Sequence, residues 1–322
     1  SHNYIVMKNT NPYYKNVNKA LTELKLAEPT FENALNVKYY PDRINTPLGK
    51  YEENYLRKNN TLNVAVYDDY KPISYYDKKS HKYKGIAVDL MDKLGEKLGI
   101  KFRYFAINTK DPYDMFNSTK TDIVLPVYVD DLMYYKTKSL FDSDINYITK
   151  SSYGTLNDNA RIAVVKKYKY ISDCLKNKTK YNIVEYDTIE DACNGVNDGE
   201  VDAFATSTYN AKFIIQNPRY RKLDIREFDN ISLPFGLAIN NNSILESALN
   251  KGIQYITSEE RKNIIDKDTA YKWSDLSWYD KLYSYIDILS FVSFILVFAV
   301  IGILIYINSK KKFIEQIQQK SD

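Results

Sequence analysis

"LNVAVYDDYKPISYYDKKSHKYKGIAVDLMDKLGEKLGIKFRYF" (residues 62–105) decides how the rest of the chain is read. Its first six residues form a short β-branched run, bounded by "DDYKP", and they read as a strand. After an aromatic-rich stretch, Ile86, Leu90, Leu94 and Leu98 recur at helical spacing, and Gly99 follows as a natural C-cap. "KFRYFAI" (101–107) is then the next strand. A strand, a helix and a second strand within so short a stretch predict a parallel β-α-β unit.

The pattern repeats outward from there. "DIVLPVY" (122–128) reads as a buried strand. A second cycle starts with the strand "RIAVV" (161–165), the helix "YISDCLKN" and the strand "YNIVEY" (181–186). "TIEDACNGV" follows as a helix, with Thr188 and Asp191 able to cap it. "VDAFATS" (201–207) is a strand, "YNAKFIIQN" a helix stopped by Pro218, and "KLDIREF" (222–228) a strand. After "ISLPFGLAI" come helical segments at 243–256 and 258–266. Such alternation argues for an α/β fold with mostly parallel sheets, and two cycles argue for two lobes. Sheets of this kind bind ligands at the carboxyl ends of their strands.

The C-terminal end is different in kind. Twenty uncharged residues run from Ile288 to Ile307, followed by Lys310, Lys311 and Lys312. At about 1.5 Å per residue they cover roughly 30 Å, one hydrocarbon core. Trp273, Trp278, Tyr279, Tyr283 and Tyr285 stand before the span, as interfacial aromatics do, and the lysines after it predict a cytoplasmic far end. Residues 1–285 are then extracytoplasmic, in a single-pass cell-membrane protein. Phe313, Ile314 and Ile317 continue at helical spacing, as in the first turns of an amphipathic helix. A domain outside the membrane needs export, and no leader is visible before "SHNYIVMKNT", so the chain is read as a segment of a longer one.

The 62–105 stretch resembles the opening of the family-3 extracellular solute-binding proteins. The markers are the strand, Pro72 after it, an aromatic-rich strand, then Gly85, Asp89 and an amphipathic helix ending in Leu-Gly. "NDGEVDAFATS" resembles that family's second-lobe turn and strand, and "FGLAINNNSILESALNKGIQYI" resembles its return to the first lobe. The resemblance covers about 61–268 in the right order. It implies a type II periplasmic-binding fold, a two-lobed Venus flytrap, followed here by one transmembrane helix. The implied boundaries are 56–150 with 235–270 for lobe 1, 151–234 for lobe 2, 271–285 for a juxtamembrane segment, 286–307 for the span and 308–322 for the start of a cytoplasmic helix. Asn18-Lys19-Ala20-Leu21 aligns with Asn250-Lys251-Gly252-Ile253, so residues 1–55 look like the tail of a preceding flytrap and a linker. "TPLGKYEENYLRKNNTLNVAVY" resembles the joint between tandem flytraps in sensor kinases.

Carried over residue by residue, the family's ligand contacts fall on Tyr67, Tyr70 and Tyr75 after the first strand, on Val127 and Tyr128, on Lys166, Lys167 and Tyr168 in the second lobe, and on Ser207. Aromatic walls provide apolar area with few rotamers to freeze, and a lysine at a helix start can hold an anion. Against this, a chain with 31 tyrosines will place some of them anywhere. Amino-acid binders of the family carry a lobe-1 arginine for the α-carboxylate, where this chain has Tyr134 or Tyr135 in "VDDLMYYKTKSLF". They carry an aspartate for the α-ammonium where this chain has Ser207. Lys136 brings a charge without the planar fork of arginine. The expected ligand is therefore a small molecule other than a standard α-amino acid, or none.

Composition narrows the remaining classes. Lys+Arg number 45 against 41 Asp+Glu, so there is no electrostatic footprint for nucleic acid. Two histidines and two cysteines make no metal-site spacing, and Cys174 and Cys193 lie on the apolar sides of helices, either as buried hydrophobes or as a disulfide. No nucleophile with its base and no phosphate loop is present, and Asp68-Asp69 and Asp130-Asp131 read as solvated loop acids, so neither an enzyme nor a cofactor is expected. The expectation is a receptor that passes lobe closure to a cytoplasmic histidine kinase or diguanylate cyclase, dimeric through its cytoplasmic helix. The alternative is a membrane-tethered substrate-binding protein of an ABC importer.

Overall fold

A computed structural model of the chain describes residues 47–270 and 276–321, apart from positions 110, 119 and 129–133, together with six positions between 16 and 24. Most of the 1–30 segment and the Asp130-Asp131 pair lie outside the described residues.

β1 (Thr61–Val66) is flanked by two parallel neighbours, β5 (Lys101–Ala106) and β6 (Ile123–Tyr128). Its Val64, Ala65 and Val66 are fully buried, as expected of a strand covered on both faces. α2 (Ile86–Leu98) crosses between β1 and β5 and buries Ile86, Leu90, Leu94 and Leu98, the stripe that its spacing predicts. It ends at Gly99 in the left-handed conformation. Between β1 and α2 lies a three-stranded meander of β2 (Asp69–Tyr70), β3 (Ser74–Asp77) and β4 (Lys82–Lys84). In the second cycle β9 (Arg161–Val165) pairs in parallel with β10 (Asn182–Tyr186) and β11 (Ala203–Ser207). Helices α4 (Lys169–Lys178), α5 (Ile189–Asp198) and α6 (Thr208–Ile215) follow β9, β10 and β11; the short α3 (Met115–Ser118) precedes β6.

Two long antiparallel strands join the cycles, β8 (Phe141–Lys150) and β12 (Leu223–Ile239). One continuous sheet results, in the order β10-β9-β11-β8-β12-β6-β1-β5, with β7 (Tyr135–Lys136) pairing off-path with β12. β12 holds β6 through residues 235–239, whereas β8 holds β11 through residues 145–148. The register between β8 and β12 slips from Glu227↔Asn146 to Ser232↔Asp144. A slip of this kind bends a strand pair locally, and it falls where the pair passes from one cycle to the other.

α7 (Ser243–Tyr255) and α8 (Ser258–Thr269) return to lobe 1 against α2. α1 (Lys50–Lys58), ahead of β1, docks on α7. Its buried Glu52 accepts from Ser247 Oγ (2.5 Å) and Lys251 Nζ (2.7 Å), and Asn242 Nδ2 donates to Tyr55 Oη (2.9 Å).

Asn217–Arg221 groups with the described residues from 276 onward as a second unit. In it, α9 (Trp278–Tyr283) is capped by Ser277, whose Oγ accepts from Asp280 N at 3.0 Å. α10 (Ile286–Ser321) is one unbroken helix. Its stretch Ile286–Lys311 contains an apolar window of mean hydropathy 3.0, none of it buried, and is long and apolar enough to cross a membrane.

Candidate functional site

The carboxyl ends of β1, β6, β9 and β11 carry the predicted contacts. Tyr67 follows β1, and the loop after it is fastened from behind by α2. Ile86 N donates to Pro72 O and Ala87 N to Ile73 O, each at 2.9 Å, so the first amides of the helix hold the loop's carbonyls. This approach requires Gly85, whose φ is 116°. A Cβ there would sit 2.5 Å from Pro72 O and 2.6 Å from Ile73 O. The loop is thus held rigidly, and it presents Tyr67, Asp68, Asp69 and Tyr70 to the second lobe.

The second lobe meets it with a single turn of 3₁₀ helix, Lys166–Tyr168, directly after β9. Tyr168 stacks on Tyr70 with ring centroids 4.0 Å apart and 27° between planes. Tyr67 closes the group edge-on, 5.3 Å from Tyr168 and 6.3 Å from Tyr70. All three rings are buried. Around them runs a set of polar bonds between the lobes. Lys167 Nζ donates to Asp68 Oδ1 (2.7 Å) and Asp69 Oδ1 (3.0 Å), and Tyr168 Oη donates to Asp69 Oδ1 (3.1 Å). Tyr70 Oη donates to Ser207 Oγ at 3.0 Å, and Asn210 Nδ2, one turn into α6, donates to Lys71 O. Below the rings, Tyr170 stands edge-on to Phe235 of β12 (5.6 Å), which packs on Phe141 of β8 (5.1 Å).

The electrostatics follow from burial. Loss of water raises the hydroxyl pKa of Tyr67, Tyr70 and Tyr168, so each stays protonated, and Tyr70 and Tyr168 serve as donors. Burial also opposes the charge of Lys167, but its bonds to Asp68 and Asp69 outweigh that cost and hold its pKa above the ordinary lysine value. This ammonium is therefore a firm cation already engaged by two carboxylates of its own chain.

The predicted residues divide accordingly. Tyr67, Tyr70, Lys167, Tyr168 and Ser207 are brought together. Val127 is buried in β6 opposite Gly236, and Tyr128, half-buried, pairs with Phe235. Tyr75 stands in β3 with Lys71 Nζ 4.8 Å above its ring. Lys166 faces away, to Asp187 on its own lobe at 2.7 Å. Asp68 and Asp69, read from sequence as solvated acids, are instead the partners of Lys167. Asn210, Tyr170, Phe141 and Phe235 were not singled out; only the position of Tyr170, two residues beyond Tyr168, hinted at its place. Tyr134, one of the two residues expected where the family carries its carboxylate clamp, stacks on Tyr113 at 4.8 Å, and Lys136 lies over that same ring at 5.3 Å. Cys174 and Cys193 are both buried. Surface cavities of about 400 and 370 Å³ lie elsewhere, one by Asp89, Asp92 and Glu260, the other by Glu185, Asp187 and Asp191.

Two α/β cycles joined by a pair of crossover strands, with their strand ends facing each other, define a type II periplasmic-binding flytrap. Residues 62–132 match the model of the bacterial extracellular solute-binding proteins, family 3. The second periplasmic flytrap domain of Bordetella pertussis BvgS is similar at 17% identity with a TM-score of 0.58, over 69% of this chain and 98% of that one. The whole BvgS periplasmic domain is similar at 17% identity and TM-score 0.61, over 76% of this chain and 49% of that one. An ancestral arginine-binding protein bound to arginine is similar at 17% identity and TM-score 0.55, over 66% of this chain and 99% of that one. At these identities the likeness is one of fold. A search of curated proteins finds no match.

Proposed function

We propose that this chain is the extracytoplasmic sensory flytrap of a single-span receptor, in which a change of lobe closure is passed through α10 to a cytoplasmic output domain of the histidine kinase or diguanylate cyclase type. Three features support the reading. The fold is shared with the BvgS periplasmic flytraps. One described helix is long and apolar enough to span a membrane. That helix continues unbroken to Ser321, past Lys310–Lys312, as a rod that pairs with a second copy on the cytoplasmic side would.

The observation that carries the proposal is the Tyr70–Tyr168 stack with Lys167 bridging Asp68 and Asp69. The chain's own side chains occupy the place between the lobes, and the local cation is spent on the chain's own carboxylates. A zwitterionic α-amino acid would find neither an arginine fork for its carboxylate nor an aspartate for its ammonium. The ligand is then a less charged small molecule that competes with the tyrosines, or the clamp is a relay that holds itself shut. A signal of either kind works by the difference in free energy it makes between open and closed forms.

A thermal-shift screen of the chain in detergent tests this. Ligand at 100 times its dissociation constant adds about 2.7 kcal/mol to stability. The twenty standard amino acids at millimolar concentration are expected to leave the transition unmoved. A shift of several degrees with any of them would overturn the proposed selectivity and favour a carrier that delivers amino acids to an importer.

A further inference from the structure

Tyr70 belongs to lobe 1 by its backbone and to lobe 2 by its side chain. Its backbone is pinned in the loop after β1: it pairs with Ser74 of β3, and its carbonyl accepts from Ile73 N at 2.8 Å. Its ring lies in a seat that lobe 2 builds. One face rests on Tyr168 at 4.0 Å, and the hydroxyl donates to Ser207 Oγ at 3.0 Å. That serine oxygen is fixed at the start of α6, where it also accepts from Asn210 N at 3.4 Å. Thr206 Oγ1 stands within reach of the same phenol oxygen and is oriented by its own bond to Asn210 Oδ1 at 2.7 Å. The Tyr170 hydroxyl lies beside it, buried and without a well-formed hydrogen bond. Tyr70, Thr206 and Ser207 are fully buried. These bonds all join neutral groups, and Lys167, next in the chain to Tyr168, is paired with Asp68 and Asp69.

We infer that Tyr70 is a built-in stand-in for the ligand: the seat formed by Tyr168, Tyr170, Thr206 and Ser207 takes an uncharged phenolic ring, and a ligand bound there holds the lobes apart. The inference deepens the proposed sensory reading and rests on it. Its direction follows from the geometry. Tyr70 is fully enclosed, with Tyr67 edge-on at 6.3 Å and its loop fastened to α2, so its ring leaves the seat when lobe 1 leaves lobe 2. An occupied seat and a closed clamp therefore exclude each other, and the receptor is shut when empty and open when occupied. The chemistry follows from the partners. Hydroxyls satisfy a phenol, which is uncharged at pH 7, and the face of Tyr168 stacks on its ring. A carboxylate or an ammonium would be buried against neutral groups, at a far larger cost. Free tyrosine carries the same ring together with two charges and meets that penalty.

The test uses the full chain in lipid nanodiscs and 4-methylphenol, the tyrosine side chain as a free molecule. Calorimetry follows binding. Spin labels at Lys79→Cys and Lys176→Cys, exposed sites on the two lobes, follow closure, and Cys174 and Cys193 are buried away from the label. Lys167→Gln weakens the closed clamp outside the seat, by two hydrogen bonds to carboxylates. It is expected to tighten 4-methylphenol binding about tenfold or more over wild type, and the bound protein shows the longer inter-lobe distance. A ligand that closes the clamp would bind Lys167→Gln more weakly. In Tyr70→Ala the same molecule takes the vacated place and shortens the distance. Toluene, which lacks the hydroxyl, binds about fivefold more weakly, and 4-hydroxyphenylacetate, which adds a carboxylate, at least about tenfold more weakly. Tyr168→Ala, which removes the face of the seat, abolishes saturable binding. No saturable binding to Lys167→Gln and Tyr70→Ala, weaker binding to Lys167→Gln than to wild type, or bound lobes that stay shut overturns the inference. So does binding that survives Tyr168→Ala, which marks partition into lipid or an unrelated site. Failure of the sensory reading shows separately, as a thermal shift with a standard amino acid.

Discussion

Replacing Tyr168 by alanine is expected to open the flytrap. Tyr168 and Tyr70 are 2% and 0% exposed, and their stacked faces are what separation of the lobes would uncover. A buried aromatic removes roughly 150–250 Å² from water; if about half of each ring is uncovered, opening costs about 4–6 kcal/mol at 25 cal/mol per Å², as an upper bound. Stacking adds about 0.5–1.5 kcal/mol beyond area. Alanine removes one ring and bares the other, so closure loses about 3–5 kcal/mol, and the closed-to-open ratio falls by a factor of about 10² to 10⁴. Tyr168→Phe keeps the stack and loses only the bond to Asp69, about 1 kcal/mol. Distances between spin labels at positions 79 and 176 should show one short population in wild type and in Tyr168→Phe, with a second, longer one in Tyr168→Ala. If Tyr168→Ala folds and keeps the single short distance, the tyrosine stack does not hold the lobes together, and the reading of the site is wrong.

Gly85→Ala should be among the most damaging single-methyl changes in the domain, since the backbone sits in a region that other residues enter only at a cost of about 1–3 kcal/mol and the new Cβ would strike two carbonyl oxygens. Circular dichroism should show loss of a cooperative transition or a fall in Tm of ten degrees or more, and a near-wild-type Tm would show that the loop is not fastened as described. Acid should weaken the α8–α2 contact. Burial works against ionised Glu260, but Lys97 (2.8 Å) and the amide of Thr257 (2.8 Å) outweigh it and hold its pKa at about 2, below 4.5 when unfolded. A lowered folded pKa means that this stabilisation is complete above pH 4.5 and is lost as pH falls towards 2. Because the pair is solvent-screened, about 1 kcal/mol is at stake, and urea midpoints measured from pH 5 to pH 2.5 should fall less steeply in Glu260→Gln than in wild type.

The sequence by itself determined the elements and their order wherever the determining pattern is local. The strand at 61–66, the helix with its stripe from Ile86 to Leu98 and its glycine stop, the second cycle at 161–207 and the apolar run at 288–307 each repeat with a period that a short window contains. The placement of Tyr67, Tyr70, Lys167, Tyr168 and Ser207 at strand ends followed from that alternation together with the family resemblance. β8 went unread because the aspartates in "FDSDINYITK" break the apolar alternation, and β12 was read as two pieces because Asp229-Asn230 looks like a turn. Both strands are required by the sheet on either side of them, which no short window shows.

Tertiary structure alone decided what the site residues do. Lys167 was legible as a cation at a helix start, which suits a bound anion; its partners, Asp68 and Asp69, stand 99 and 98 residues away and were legible only as loop acids. Tyr70 reaches Ser207 across 137 residues, and Arg221 reaches Asp287 across 66. Hydrogen bonds and ring stacking act over a few ångströms of space and leave no periodic trace in the chain, so the closed contact between the lobes emerges only when the two cycles are folded against each other.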